Sequence, residues 1–322
     1  MSSDMRLQKM GRKIAIMFPG QGSQYVGMGR DFYEEYKEAR ETLNTAEEVL
    51  RFPLSSIIFE GPEEKLNRTS ICQPALLSVS FSIFKVLMRE QKRRNFTFDI
   101  EAALGHSLGE YTALVSAGVL DFSEGVLLVH KRGRFMEEVQ NGGMVAILGL
   151  GSEDVGDIVK NIEGVEIANL NCPGQIVIAG ENLSLKEAEI ESKKRGARLT
   201  LKLKVSIPSH SSYMKGAKEK LREEVKKIEF KSPSFPVVPN YLALPMRDSS
   251  PLKEAIIEQM TNPVRWEESV QKLIDSGVET FIEIGPGKVL SGLVKRVNRD
   301  TECLRVSDLK SMEETIRALN ET

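Results

Sequence analysis

The feature that most constrains this chain is a serine between two glycines, in the sequence Gly-His-Ser-Leu-Gly at residues 105–109. It follows a short apolar run at residues 100–104 and precedes a helix-favouring segment at residues 111–117. A serine at a strand-to-helix turn is typical of a nucleophile elbow, in which the flanking glycines let the backbone turn sharply and leave the hydroxyl exposed. Gly and Ser are also common in ordinary turns, so the pattern alone indicates a reactive serine without establishing one.

The order of the remaining elements predicts an α/β fold in two parts. An apolar run at residues 13–18 is predicted to be a buried parallel strand. Residues 144–205 follow the β-α-β-β-α-β pattern of ferredoxin-like units. We therefore predict a large α/β-hydrolase-like domain with a parallel central sheet, formed by residues 1–142 and 207–322, and an inserted ferredoxin-like subdomain at residues 143–206. The cleft between the two is the expected ligand site.

Composition excludes several classes of protein. Hydrophobic residues make up 41% and charged residues 28% of the 322 residues, as in water-soluble globular proteins. A net charge of −2 argues against nucleic acid or an anionic membrane as a partner held by bulk electrostatics. The three cysteines are scattered, with neither a disulfide framework nor a zinc pattern, which points to a reducing cytoplasm. We expect no signal peptide, no apolar run near the ~18 residues of a membrane span and no bound metal.

A serine nucleophile needs a base, and the chain has only three histidines. His106 adjoins Ser107 and is expected to point away from its hydroxyl, and His130 falls in the middle of a predicted helix. His210, which follows Pro208 at a predicted helix entrance, is therefore the candidate base. An ordinary hydrolase triad places an acid between Ser and a His late in the chain. His210 comes well before the end and no acid stands out, so the elbow fits a hydrolase but the layout does not.

Two further polar groups have an ordinary and a functional interpretation. The Gly-rich turn at residues 19–24 matches neither phosphate-binding glycine pattern, so it is either a simple tight turn or a device that places Gln21 over the same sheet end as Ser107. Arg132 lies in a cationic part of a helix predicted at residues 123–138. Such cations usually form a solvated face, whereas an arginine in a cleft offers a fixed fork to a carboxylate. An earlier buried helix is predicted at residues 74–90, beginning at its proline.

Six motifs in order along the chain resemble the malonyl-CoA:acyl carrier protein transacylase family of fatty-acid synthesis. They are residues 18–24, residues 105–110, Arg132 with Gly133, residues 208–210, Gln259 with residues 262–264, and residues 283–288. The resemblance covers roughly residues 13–305, including the inserted unit. The segment at residues 241–245 is less typical of the family.

The resemblance implies a role for each matching residue. Ser107 would attack the malonyl thioester, with His210 as base and then as acid to the departing thiol. The family orients this histidine through a main-chain carbonyl near Gln259 in place of an aspartate. The amides of Gln21 and Leu108 would form the oxyanion hole.

The resemblance also implies how the substrate is held. Arg132 would bind the malonyl carboxylate, favouring it over acetyl by roughly 2–4 kcal/mol. Gln259 and His106 are further candidates for substrate contact, and Asn169 and Asn171 are candidates for contacting the pantetheine arm. Coenzyme A enters as part of the substrate, so no cofactor is expected. The expected partners are malonyl-CoA and acyl carrier protein, and the protein is expected to be a monomer.

Other functions remain open at the level of sequence. A serine esterase or thioesterase would use the same elbow without needing Arg132, and an acyltransferase of a polyketide pathway would use the same residues. A catalytically silent binding module would tolerate the loss of Ser107. The sequence leaves undecided the acceptor carrier protein and its docking surface, the tolerance for methylmalonyl or acetyl, the pathway and the oligomeric state.

Overall fold

The computed structural model describes residues 12–96 and 98–320, and these form two five-stranded sheets surrounded by helices. The strands are β1 (Lys13–Phe18), β2 (Asp99–Gly105), β3 (Gly142–Leu148), β4 (Val165–Cys172), β5 (Gln175–Glu181), β6 (Leu199–Lys202), β7 (Val237–Val238), β8 (Val264–Arg265), β9 (Thr280–Ile284) and β10 (Glu302–Val306).

The helices alternate with these strands along most of the chain. They are α1 (Arg30–Glu35), α2 (Lys37–Leu50), α3 (Leu54–Glu60), α4 (Glu63–Leu66), α5 (Thr69–Arg94), α6 (Gly109–Ser116), α7 (Phe122–Glu137), α8 (Ser152–Asn161), α9 (Asn182–Lys194), α10 (Lys215–Lys226), α11 (Ser249–Glu258), α12 (Trp266–Asp275), α13 (Val289–Val297) and α14 (Leu309–Asn320). A single 3₁₀ turn (Ser212–Met214) precedes α10.

The larger sheet is parallel throughout and has the order β10-β9-β1-β2-β7. Its central strands are apolar and buried, because helices cover both faces of a parallel sheet. The mixed α/β fold with a parallel sheet is therefore confirmed. Phe18 at the end of β1 lies opposite Gly105 at the end of β2, which brings the turn after β1 beside the serine turn after β2.

The smaller sheet has the order β6-β3-β5-β4-β8. The strands β6, β3, β5 and β4 pair antiparallel, each with its neighbour in this order. Counted along the chain from β3, they are the fourth, first, third and second strands of the predicted subdomain. The helices α8 and α9 pack on one face through Val155, Ile158 and Leu185. The fifth strand, β8, comes from the later part of the chain and pairs parallel to β4. The smaller sheet thus includes residues from outside the segment predicted to form it.

The helix α5 begins at Thr69, five residues before the predicted start at Pro74. Proline inside a helix removes the N–H that would bond the carbonyl four residues earlier, here that of Ser70. The Nδ1 atom of His130 on α7 lies 2.7 Å from this Ser70 oxygen and donates to it. The proline is tolerated because a neighbouring helix supplies the missing donor.

Within the described residues, α5 is also the one helix long and apolar enough to cross a membrane by length and composition alone. In the fold, 83% of its most apolar window is buried inside the protein, where it packs against α2 and α7. The core helix of a water-soluble protein meets the same test, so its length and composition are weak evidence for a membrane span.

Candidate active site

Ser107 lies in the tight turn between β2 and α6, as the elbow pattern predicts. Its φ angle is 51°, in the left-handed region that L-residues rarely adopt. The turn is possible because its flanking residues lack side chains. A Cβ on Gly105 would lie 1.9 Å from the carbonyl carbon of Gly109, and a Cβ on Gly109 would lie 2.0 Å from the carbonyl oxygen of Phe18. The two glycines therefore let β1, β2 and α6 meet closely under the serine.

His210 is in contact with the serine hydroxyl. Its Nε2 atom lies 2.8 Å from Ser107 Oγ, and its Nδ1 atom lies 2.8 Å from the main-chain oxygen of Gln259. A carbonyl only accepts, so Nδ1 carries the proton and the Nε2 lone pair faces the hydroxyl. Burial, and then the positive charge of Arg132, lower the pKa of His210 to about 3. The imidazole is thus neutral at physiological pH and able to accept a proton.

Arg132 projects from α7 into the same space and is 1% exposed. Its Nη2 atom lies 3.4 Å from Ser107 Oγ and 3.0 Å from Oε1 of Gln259, and its guanidinium lies 5.3 Å from the ring centre of Tyr111. Burial lowers its pKa, although a guanidinium stays charged at neutral pH. No carboxylate of the described residues lies within ion-pair distance of it, and Glu110 attracts it only through space. A buried, unpaired cation is costly, and a ligand carboxylate would relieve that cost.

The two predicted oxyanion donors line the same cavity. Among the described residues, neither the amide of Gln21 nor that of Leu108 donates a hydrogen bond to a protein acceptor. The Leu108 amide immediately precedes α6, where helix N–H groups lack intrahelical partners. The Gln21 side chain is turned toward α5, with Nε2 3.3 Å from Thr69 Oγ1. Both main-chain donors are therefore available to a ligand oxygen.

Of the remaining candidates, Asn169 and Asn171 form the opposite side of the cavity, and His106 joins the serine turn to them. His106 turns away from the serine hydroxyl, as expected, and its Nε2 atom lies 2.8 Å from Oδ1 of Asn171. Burial lowers the pKa of His106, so its neutral ring donates to that amide oxygen. Asn169 and Asn171 both lie on β4 and are buried. The smaller sheet thus contributes amide groups that face the serine turn across the cleft.

The cavity has a volume of about 170 Å³. Eight of the nine predicted site residues line it, and the ninth, Gln259, lies behind Ser107 and contacts it through its side chain. The apolar part of its wall comes from Met136, Met144, Val177, Leu203, Val205 and Ile207. Within residues 12–96 and 98–320, no group of three or more His, Cys, Asp or Glu residues could hold a metal ion.

Two residues that hold this geometry were not predicted from the sequence. Asn240 accepts from the Ser107 amide through Oδ1 at 2.7 Å and donates through Nδ2 to the Gly105 oxygen at 2.6 Å. Glu110, in the first turn of α6, is 1% exposed, and burial raises its pKa to about 7. Glu110 closes the elbow motif and could have been noticed there. Asn240 lies in a proline-rich segment and carries no comparable signal.

Comparisons with known proteins show which family this chain resembles. The acyl transferase domain model matches residues 16–315. The malonyl CoA-acyl carrier protein transacylase of Bacillus subtilis (strain 168) is 47% identical over 316 residues, covering 96% of this chain and 98% of the relative. The solved malonyl CoA-acyl carrier protein transacylase of Coxiella burnetii has a TM-score of 0.92 at 35% identity, covering 96% of this chain and 98% of that one.

A further solved structure contains a carrier protein. It is a malonyl-transacylase in complex with its type II polyketide synthase acyl carrier protein, with a TM-score of 0.90 at 39% identity, covering 96% of this chain and 100% of that one. The chain belongs to the acyl transferase domain family and, within it, to the malonyl CoA-acyl carrier protein transacylases. It is an acyltransferase, and the family predicted from the six motifs is confirmed.

Proposed function

We propose that this protein moves a malonyl group from malonyl-CoA to the phosphopantetheine thiol of an acyl carrier protein, in fatty acid biosynthesis, through a malonyl ester on Ser107. The proposal depends chiefly on one observation, which is that the base His210 and the cation Arg132 both lie beside the Ser107 hydroxyl. Ser107 Oγ lies 2.8 Å from His210 Nε2 and 3.4 Å from Arg132 Nη2, inside a buried cleft. The names of the relatives support both substrates.

The first half of the reaction loads the serine. Ser107 Oγ attacks the thioester carbonyl while His210 Nε2 takes the hydroxyl proton. The negative charge on the carbonyl oxygen is received by the amides of Gln21 and Leu108. The carbon–sulfur bond then breaks, and His210 returns the proton to the departing coenzyme A thiolate. The Gln259 carbonyl keeps the imidazole oriented throughout.

The second half reverses these steps with a different thiol. The carrier thiol gives its proton to His210 and attacks the malonyl carbonyl carbon. The bond to Ser107 Oγ then breaks, and the serine recovers the proton from His210. The malonyl ester must survive until the carrier arrives, and the position of the partly buried serine in a largely apolar cleft supports this by limiting access of water.

Arg132 supplies selectivity for a carboxylated acyl group. A carboxylate paired with it gains a charge-assisted hydrogen bond that acetyl cannot form, worth roughly 2–4 kcal/mol. The same pairing acts on the base. The charge of Arg132 is the second cause, after burial, that holds the pKa of His210 low, and a bound carboxylate offsets that charge. Malonyl therefore makes His210 a stronger base, whereas acetyl does not.

We propose the finer fold assignment on the same footing. The α/β-hydrolase-like description of the large domain, residues 1–142 and 207–322, is supported by a parallel sheet with the serine turn at its carboxyl edge. The ferredoxin-like description of residues 143–206 is supported by four antiparallel strands with two helices on one face. The proposed reaction needs no resident cofactor. We further propose that the protein is a cytoplasmic monomer. It is also proposed to bind neither nucleic acid nor membrane, which the net charge of −2 supports.

The experiment is intact-protein mass spectrometry after mixing with malonyl-CoA or acetyl-CoA. We expect a malonyl adduct that maps to Ser107, is absent in Ser107→Ala, and forms far more readily than an acetyl adduct. Adding a fatty-acid carrier protein should remove the adduct and add malonyl to the carrier. A silent module would form no adduct, and an esterase would lose it without a thiol. A polyketide enzyme would prefer the carrier protein of that pathway.

A further inference from the structure

Glu110 makes hydrogen bonds to both segments that frame the reacting serine. Its Oε2 atom accepts from the main-chain amide of Asn240 at 2.9 Å and from Nε2 of Gln259 at 2.7 Å. Its Oε1 atom has no hydrogen-bond partner among the described residues. Glu110 has no hydrogen bond to Ser107 Oγ or to Arg132, so its hydrogen bonds reach the reaction through Asn240 and Gln259, while its charge attracts Arg132 through space.

Gln259 connects Glu110 to the base and to the cation. Its Nε2 atom donates to Glu110 Oε2 and to the main-chain oxygen of Ser107, the latter at 2.9 Å. Its Oε1 atom accepts from Arg132 Nη2 at 3.0 Å, and its main-chain oxygen accepts from His210 Nδ1 at 2.8 Å. One residue thus orients both groups that face the substrate.

The direction of the Gln259 amide is decided by its acceptors. The Ser107 carbonyl oxygen only accepts, so the amide NH₂ must face it, and Glu110 Oε2 accepts from the same NH₂. The amide oxygen then faces Arg132, whose guanidinium carries only donors. A reversed amide would set donor against donor at Arg132 and acceptor against acceptor at the main-chain oxygen of Ser107. In this buried place such mismatches are costly.

We infer that Glu110 is a positioning residue for the transfer reaction, which holds the side chain of Gln259 so that Arg132 is aligned on the substrate. It acts as a hydrogen-bond acceptor at Oε2. The inference rests on the proposed function, because it concerns the selectivity of that reaction. It deepens the proposal by assigning malonyl selectivity to Arg132 together with Gln259 and Glu110, which orient it through hydrogen bonds.

The hydrogen-bond pattern makes a specific claim about substitutions. Glutamine at position 110 can place its oxygen where Oε2 lies and its NH₂ where Oε1 has no partner, so Glu110→Gln keeps both accepted bonds. Glu110→Ala removes the acceptor and frees the Gln259 amide. Glu110→Met, similar in length and without an acceptor, serves the same purpose if the alanine variant does not fold.

A matched control is a second buried carboxylate that accepts backbone amides away from the cleft. Glu283 is fully buried and accepts from the amides of Leu290 and Ser291 at the start of α13. Glu283→Ala therefore tests what loss of a buried acceptor does to the fold alone. The readout is the ratio of malonyl to acetyl loading on Ser107, which is independent of the fraction of protein that is folded.

We expect the malonyl-to-acetyl ratio to fall about tenfold in Glu110→Ala or Glu110→Met, because a lost aligning hydrogen bond weakens the Arg132 contact by this order. It should return to near the wild-type value in Glu110→Gln and remain unchanged in Glu283→Ala. An unchanged ratio in the alanine and methionine variants would overturn the inference, as would an equal fall in Glu110→Gln or Glu283→Ala. A wild-type protein that loads no malonyl would instead defeat the proposed function itself.

Discussion

The two sheets contribute to the cleft in different ways. On the side of the parallel sheet, the groups that face Ser107 Oγ are buried and each is held by a hydrogen bond to a neighbour, as with Arg132 and His210 on Gln259. The smaller sheet contributes part of the apolar wall and Asn171, whose amide oxygen accepts from His106 of the serine turn. Its edge strand β6 also leaves Leu199 and Leu201 half exposed. The difference teaches that the reacting atoms are fixed from one side, while the other side shapes the space they face.

The largest test of this division is His210→Ala, on the parallel-sheet side. Loss of a general base should slow formation of the malonyl-serine about 10²- to 10⁴-fold, measured as a single-turnover rate. The matched control is His130→Ala, which removes the donor to the Ser70 carbonyl and should cost stability without slowing the folded enzyme. Equal slowing in both variants would mean that His210 acts through the fold alone.

Arg132→Ala comes next and tests the cation. The malonyl-to-acetyl loading ratio should fall about 30- to 700-fold, which corresponds to ~2–4 kcal/mol of lost carboxylate binding. Arg134→Ala, an exposed arginine on the same helix, should leave the ratio unchanged. If the ratio survives the loss of Arg132, another group recognises the carboxylate, and selectivity does not come from the parallel-sheet side.

The third test concerns the buried carboxylate of Glu110. Its folded pKa of about 7 lies above its ordinary value of 4.5, because burial disfavours the charged form. Its contribution to stability is therefore complete below pH 4.5 and is lost as the pH rises through 7, by about 3 kcal/mol in all. A glutamine does not titrate. The free energy of unfolding of Glu110→Gln, relative to that of the wild type, should therefore rise by this amount between pH 4 and pH 8.

The measurement for this third test is urea unfolding of both proteins at each pH. His210 is present in both, so its own titration cancels in the difference. The comparison at pH 4, where Glu110 is protonated and resembles glutamine, serves as the reference. A difference that stays constant from pH 4 to pH 8 would show that the carboxylate is not held in the dry environment seen here.

The smallest expected effect on the reaction comes from a substitution in the smaller sheet. Asn171→Ala removes the partner of His106 and should lower kcat/KM for malonyl-CoA by less than about tenfold, near 1 kcal/mol. The malonyl-to-acetyl ratio should not change, because Arg132 is untouched. Asn161→Ala, on the outer end of α8, is the matched amide control. A change of selectivity in Asn171→Ala would break the division between the two sides.

Local sequence patterns predicted those parts of the site that depend on local sterics. The serine turn follows from two glycines whose replacement would collide with the backbone, and the parallel sheet follows from short buried apolar runs. The assignments of Arg132, Gln21 and Gln259 needed the family resemblance, since each has an ordinary interpretation when taken alone. Their placement around Ser107 agrees with that resemblance, and their roles stay predictions until tested.

Tertiary contacts account for what sequence analysis missed. The helix α5 extends past Pro74 because His130, far away in sequence, replaces the lost donor. Glu110 and Asn240 matter through bonds that join segments 130 residues apart, which no local pattern records. The apolar composition of α5 likewise fits a membrane span or a core helix equally well in the sequence, and its burial in the fold favours the core helix.

The short strand β8 has a consequence for anyone who wishes to exchange parts between relatives. It pairs with β4 in the smaller sheet, and the amide of Arg265 within it donates to the main-chain oxygen of Asn240 at 2.9 Å. Asn240 in turn holds the serine amide. In a chimera that receives only residues 143–206, the transplanted strands would pair with β8 of the host protein. That strand is connected to Ser107 through the two hydrogen bonds of Asn240. The natural unit of recombination therefore includes residues 240–265, although they are remote in the chain.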